Sequence, residues 1–243
     1  MRTILSYILS TIFYIFYSSF LLIFHILQWL GLNLGKYKGH KLAVDLMNCT
    51  LTYLLYILGT RMKFINNHTI PKNVPLIFVS NHQGMHDISP LSCFLKKYHP
   101  KFVSKIELGK GIPSVSYNLR HGGSVLIDRK DARQSLSAIR DFGKYIEKNN
   151  YSAVIFPEGT RGENGIAKRF SENGLKMLTK FAPSSYIIPI TINNSWKINK
   201  KGMFPLELGV NISFEVHEPI EAKSMKFEDL FEKVESTIKN SVI

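Results

Sequence analysis

The hydropathy pattern divides the chain into two parts. From Thr3 to Gly35 there is no Asp, Glu, Lys or Arg, and the stretch from Ile4 to Leu34 is dense in Leu, Ile, Phe and Tyr. That stretch is longer than the roughly 20 apolar residues a membrane-spanning helix needs. Its length, and the lack of a small-residue cleavage site, argue against a cleaved signal peptide. Ser6, Ser10, Thr11, Ser18, Ser19, His25 and Gln28 interrupt it, so a plain single span fits poorly, while Trp29 suits an interfacial anchor. Lys36, Lys38 and Lys41 follow, with Gly35 and Gly39 as turn residues. A second apolar stretch, Leu42 to Leu58, carries Asp45 and Asn48 and is short for a span. A second helix beside the first, or lying on the bilayer, is expected there. Residues 1–60 are thus expected to form a two-helix membrane anchor, and residues 61–243 a separate domain on the cytoplasmic side, where the lysines cluster.

Beyond Arg61 short apolar runs alternate with amphipathic stretches. Strands are expected at 62–65, 76–80, 101–104, 124–127, 153–156, 186–192 and 211–216, and helices at 88–98, 131–148, 172–181 and 226–240. Alternation of this kind predicts an α/β fold, a mixed, largely parallel sheet flanked by helices. The 131–148 stretch places Leu136, Ile139, Phe142, Tyr145 and Ile146 on one face.

The formal net charge is +13, which calls for an anionic partner such as a phospholipid surface, nucleic acid or a phosphorylated substrate. The apolar amino-terminal run weighs against nucleic acid. Cys49 and Cys93 are far apart in sequence and outside CxxC spacing. They are expected to be small buried apolar side chains in a reducing compartment.

Candidate chemistry begins at Asn81-His82-Gln83-Gly84-Met85-His86-Asp87, between an apolar strand and a helix. Positions five apart diverge by about 140° on a helix, so His82 and Asp87 meet only if the chain turns between them. Gly84 is expected to permit that turn. A histidine oriented by a carboxylate is the usual means of activating a hydroxyl. His82 and His86 also have the spacing of a zinc-binding HExxH, but Gln83 stands where the general base belongs, so no metal is expected. Two further motifs, Gly122-Gly123-Ser124-Val125-Leu126-Ile127-Asp128-Arg129 and Phe156-Pro157-Glu158-Gly159-Thr160-Arg161, place an arginine just past an apolar run. Ligands gather at the carboxyl ends of strands in open α/β sheets. Arg129 and Arg161, with Lys105, would suit a phosphate there. The competing reading pairs Arg129 with Asp128, and Arg161 with Glu158 or Glu163.

In this order, and followed by Ile187-Ile188-Pro189-Ile190, the motifs resemble those of the 1-acylglycerol-3-phosphate acyltransferases, the PlsC-like glycerolipid acyltransferases. The segment Phe102-Val103-Ser104-Lys105-Ile106-Glu107-Leu108 is similar as well, so the likeness runs from about Leu76 to Ile192. It implies that His82 is the catalytic base and Asp87 its partner. Lys105 and Arg129 would contact the acceptor's phosphate, and Glu158, Gly159, Thr160 and Arg161 would form the acceptor-binding motif. It further implies acyl-ACP or acyl-CoA as donor, lysophosphatidate as acceptor, a phospholipid membrane as surface, and no cofactor. The segment Phe170-Ser171-Glu172-Asn173-Gly174 departs from the family's Phe-Lys-x-Gly by one extra residue and an acidic one.

Overall fold

The computed structural model describes residues 2–243. Eight strands form one sheet in the order β1-β7-β6-β2-β5-β3-β4, with β8 paired to β6. They are β1 (Arg61–Asn66), β2 (Leu76–Ser80), β3 (Pro100–Lys105), β4 (Val125–Ile127), β5 (Ser152–Ile155), β6 (Tyr186–Asn193), β7 (Asn211–Val216) and β8 (Ile220–Glu221). Only β6 pairs antiparallel, with β7 and β8; all other neighbours are parallel. The helices are α1 (Arg2–Leu54), α2 (Ile88–Phe94), α3 (Val115–His121), α4 (Ala132–Asn149), α5 (Glu172–Phe181) and α6 (Phe227–Asn240). The expected mixed, largely parallel sheet is therefore present. The short elements α3 and β8 are additions: neither repeats long enough to show a period.

Central strands such as β2 are buried at every position, which is why they read as unbroken apolar runs. Their side chains alternate between two cores. Leu76 and Phe78 join Leu91, Leu95 and Phe13 on one face. Ile77 and Val79 join Ile139, Phe142, Leu175 and Leu230 on the other, under α4, α5 and α6. At about 25 cal/mol per Å² of apolar surface, these layers are the main favourable term in folding.

The amino-terminal region departs from expectation. The continuous run Arg2–Leu54 consists of two helical arms that meet not at a glycine, as expected, but at Lys36, whose φ of 50° and ψ of −144° are not helical. The arms fold back on each other. Leu21 and Phe24 of the first pack on Met47 and Leu51 of the second. Near the bend the backbones approach so closely that a Cβ on Gly31 would lie 2.6 Å from the Gly39 carbonyl oxygen. Three of the polar interruptions of the first arm also find their reason, while Thr11, Ser18 and Ser19 stay exposed. Ser6, Ser10 and Gln28 face inward and are buried, while Ile4, Ile8, Ile15, Leu22, Ile26 and Trp29 are exposed. The Ser6 hydroxyl donates to the Leu206 carbonyl at 2.6 Å, and the Leu206 N–H donates to Ser10 Oγ at 2.9 Å. The run is long and apolar enough to cross a membrane, yet its polar face is fastened to the sheet domain.

The cysteine expectation is overturned. Cys49 of the second arm and Cys93 of α2 are joined by a disulfide across 44 positions of sequence. Spacing alone carries no sign of such a pairing, and cysteine usage no longer supports a reducing compartment.

Candidate active site

The chain leaves β2 at Ser80, and the next side chain extends the sheet. Asn81 Nδ2 donates to the Ile192 carbonyl at 2.8 Å, and its Oδ1 accepts the Ile192 N–H at 2.7 Å. The buried amide thus replaces a ladder pair and aims the following turn. Met85–Asp87 form a single 3-10 turn, and α2 begins directly after it. That turn brings Asp87 back to His82, with Nδ1 and Oδ2 2.8 Å apart. The same Oδ2 accepts the N–H groups of Gln83 at 2.8 Å and Gly84 at 2.9 Å. Asp87 is fully buried. With its bond to Asp87 fixing Nδ1–H, the half-buried His82 keeps Nε2 free for a substrate proton.

Gly84 has a different reason from the one expected. Its φ is −148°, an extended conformation open to any residue. A Cβ there would meet the Ser195 carbonyl oxygen at 3.2 Å, so close approach, not turning, favours glycine. His86 goes elsewhere. It is buried, its ring lies edge-on to Phe13 and Tyr17 of α1, and burial lowers its pKa to about 4, keeping the imidazole neutral.

A cavity of about 930 Å³ opens beside His82. His82, Lys105, Arg129, Gly159, Thr160 and Arg161 all line it. Lys105 ends β3, Arg129 follows β4, and Arg161 follows β5, so three parallel strands deliver three cations to one rim. Both arginines keep much of their surface exposed, Arg129 with its guanidinium partly buried. Burial lowers the Arg129 pKa, against the pull of nearby Glu107, and the group stays cationic at neutral pH. Among the described residues neither arginine makes an ion pair, with Asp128, Glu163 or any other carboxylate. The competing pairing is therefore not formed, and the cations are free for an anion. From the cavity's other wall come Tyr17, Leu21, Val44, Met47 and Leu51 of α1, together with Leu119. Nothing in the motif pattern signalled that α1 would form part of the site.

Glu158 is the exception among the residues expected to bind the acceptor, because it does not line the cavity. Its Oε1 accepts the His82 N–H at 2.8 Å and its Oε2 the Lys168 N–H at 2.6 Å. Burial raises its pKa, and those two N–H groups partly offset the rise. The main-chain donors of His82, Gln83 and Gly84 are all committed to carboxylates, so stabilising an oxyanion falls to other groups.

The sequence model of the family described as Acyltransferase matches residues 61–193. A 1-acyl-sn-glycerol-3-phosphate acyltransferase of Helicobacter pylori is 37% identical over 136 residues, 54% of this chain and 53% of that protein. The one of Borreliella burgdorferi is 27% identical over 206 residues, 84% of this chain and 78% of that protein. The chain therefore matches about half the length of the Helicobacter relative, and less of a chloroplast relative from Arabidopsis thaliana, at 40%. The crystal structure of the 1-acyl-sn-glycerophosphate acyltransferase PlsC from Thermotoga maritima shares the fold, with a TM-score of 0.81 at 24% identity, covering 99% of this chain and 95% of that one. With the match over residues 61–193 taking in the His–Asp turn and both arginine motifs, this chain belongs to the acyltransferase family.

Proposed function

We propose that this chain transfers a fatty acyl group from the thioester of acyl-CoA or acyl-ACP to the sn-2 hydroxyl of lysophosphatidate, giving phosphatidate. One observation carries the reading: a histidine bonded to a buried carboxylate at 2.8 Å shares a cavity with three cations that have no carboxylate partner. A phosphate held by Lys105, Arg129 and Arg161 would set the acceptor hydroxyl beside His82. His82 Nε2 takes the hydroxyl proton as the oxygen attacks the thioester carbonyl. The tetrahedral intermediate then collapses, the C–S bond breaks, and the leaving thiolate takes that proton from the imidazolium. Asp87 holds the ring and offsets its charge. Gly159 and Thr160 carry the chain between Phe156 and Arg161 along the same rim. The relatives' printed names support lysophosphatidate as acceptor. Glycerol 3-phosphate or another phosphate-bearing lysolipid is the alternative.

In this proposal residues 1–60 anchor residues 61–243 to a phospholipid membrane, the latter on the cytoplasmic side. The exposed apolar face of α1 supports the anchor. Arg61 and Lys63, just past the second arm, support the side. The test is thiol release from acyl-CoA, run with a panel of acceptors. Lysophosphatidate-dependent release, lost in His82→Ala, is expected; release with glycerol 3-phosphate alone would move the acceptor to the alternative.

A further inference from the structure

One loop, residues 156–168, grips the candidate base at three points. Glu158 Oε1 accepts the His82 N–H at 2.8 Å, and the Gly162 N–H donates to the His82 carbonyl at 2.7 Å. The Phe156 ring stacks on the imidazole with centroids 4.4 Å apart and planes at 25°. Asp87 supplies a fourth point at Nδ1. The second oxygen of Glu158 accepts the Lys168 N–H at 2.6 Å, which closes the loop onto itself. Arg161 lies inside that closed segment and lines the cavity, whereas Glu158 does not.

We infer that Glu158 is a positioning residue for His82 and not a contact to the acceptor. The inference rests on the reading of His82 as base. Charge points the same way: a carboxylate reaching into a rim of three cations would neutralise one of them and repel a phosphate. The two main-chain donors are taken by the two different oxygens of Glu158, an acceptor-only arrangement that an ionised carboxyl supplies. The same bonds tie the peptide of His82 to the segment that carries Arg161. Glu158 therefore holds base and phosphate site at one separation, on which an acyl transfer between bound groups depends.

The test uses the full chain in membranes, with Glu158→Gln. The amide offers one oxygen and one NH₂, so one of the two N–H groups would face a donor. Loss of a hydrogen bond to a charged acceptor predicts a kcat about 10- to 100-fold lower. The KM for lysophosphatidate is expected to stay within about threefold, because the cavity rim is untouched. A second readout needs no turnover. In ¹⁵N-histidine-labelled protein the His82 Nδ1 proton, identified by its loss in His82→Ala, is expected to shift or broaden in Glu158→Gln. Should Glu158→Gln fail to fold, Glu158→Asp keeps the charge but withdraws the oxygens, with the same split between kcat and KM expected. A raised KM with unchanged kcat and an unmoved Nδ1 proton would overturn the assignment. If wild-type protein acylates no acceptor, the proposed function fails; the Nδ1 proton still decides Glu158, and an unmoved one overturns its role.

Discussion

On one side of the cavity His82 and Asp87 are tied to each other and, through the His82 peptide and Asp87 Oδ2, to neighbouring chain. Asp87 is fully buried, and a single one of its oxygens takes three donors. On the other side Lys105, Arg129 and Arg161 are exposed and make no ion pair among the described residues. The difference follows from what each side must do. A base works from one orientation, so its partners are built in and its freedom is removed during folding. A phosphate site must leave its cations unpaired, because a carboxylate already bound there would have to be displaced. Rigidity belongs to the chemical half and unpaired charge to the binding half.

The largest effect is expected where the rigid half is broken. His82→Ala should lower kcat by about 10²- to 10⁴-fold, the usual contribution of a positioned general base, with the fold retained. Thiol-release kinetics measure the first and circular dichroism the second; appreciable turnover by the variant would remove His82 from the mechanism. Arg129→Ala and Arg161→Ala probe the other half. Each should raise the KM for lysophosphatidate by about 10- to 100-fold, as for losing a charge-assisted hydrogen bond. Neither should shift stability by more than about 0.5 kcal/mol, since no bond within the protein is lost. An unchanged KM in both would dissolve the contrast between the halves.

A fourth cation, Lys101, sharpens the comparison because it is buried. Lys101 is 6% exposed and lies over the Tyr37 ring, its Nζ 4.8 Å from the centroid, and burial lowers its pKa to about 8. The unfolded chain holds that proton up to about pH 10.4, so between the two values the unfolded state binds more protons. Stability therefore rises as pH climbs from about 8 towards 10.4, and the cost of the charge is fully present below pH 8. Lys101→Met should stabilise the protein at pH 7 by about 1–3 kcal/mol, after allowing for the lost contact with the ring. Thermal melts should show the gain shrinking towards pH 10. A destabilised variant at pH 7 would mean that the ring contacts outweigh desolvation.

The smallest effect concerns the loop that carries Arg129. Asp131 caps α4 by accepting the Gln134 N–H at 2.9 Å, and Gln134 Oε1 accepts the Asp128 N–H at 2.8 Å. Asp131→Ala should cost about 1 kcal/mol, typical of a lost N-cap, and leave kcat unchanged. Urea titration measures the cost, and a fall in kcat would tie this loop to the rigid half.

Much of this was legible in the sequence. Buried parallel strands show as continuous apolar runs, and α4, α5 and α6 show as amphipathic stretches of helical period. The His82–Asp87 spacing pointed to a turn, because a helix would have parted the two. Other features were hidden. Gly84 looked like a turning residue, but its role is set by the Ser195 carbonyl, more than a hundred residues away in sequence. Ser6, Ser10 and Gln28 of α1 looked like defects in a span, and only Leu206 and Met47 explain which way they face. The Cys49–Cys93 bond depends on where α1 folds back.

Local pattern determined the order of strands and helices, the anionic partner implied by the charge, and the residue types able to do the chemistry. Periodicity and composition are properties of neighbouring residues, so a sequence displays them directly. Tertiary structure decided which of those residues share a cavity, that α1 walls it, and that Glu158 turns from the acceptor to the backbone of His82. Each of these rests on contacts between residues far apart in sequence, and the sheet order that joins β2, β5, β3 and β4 is what brings them together.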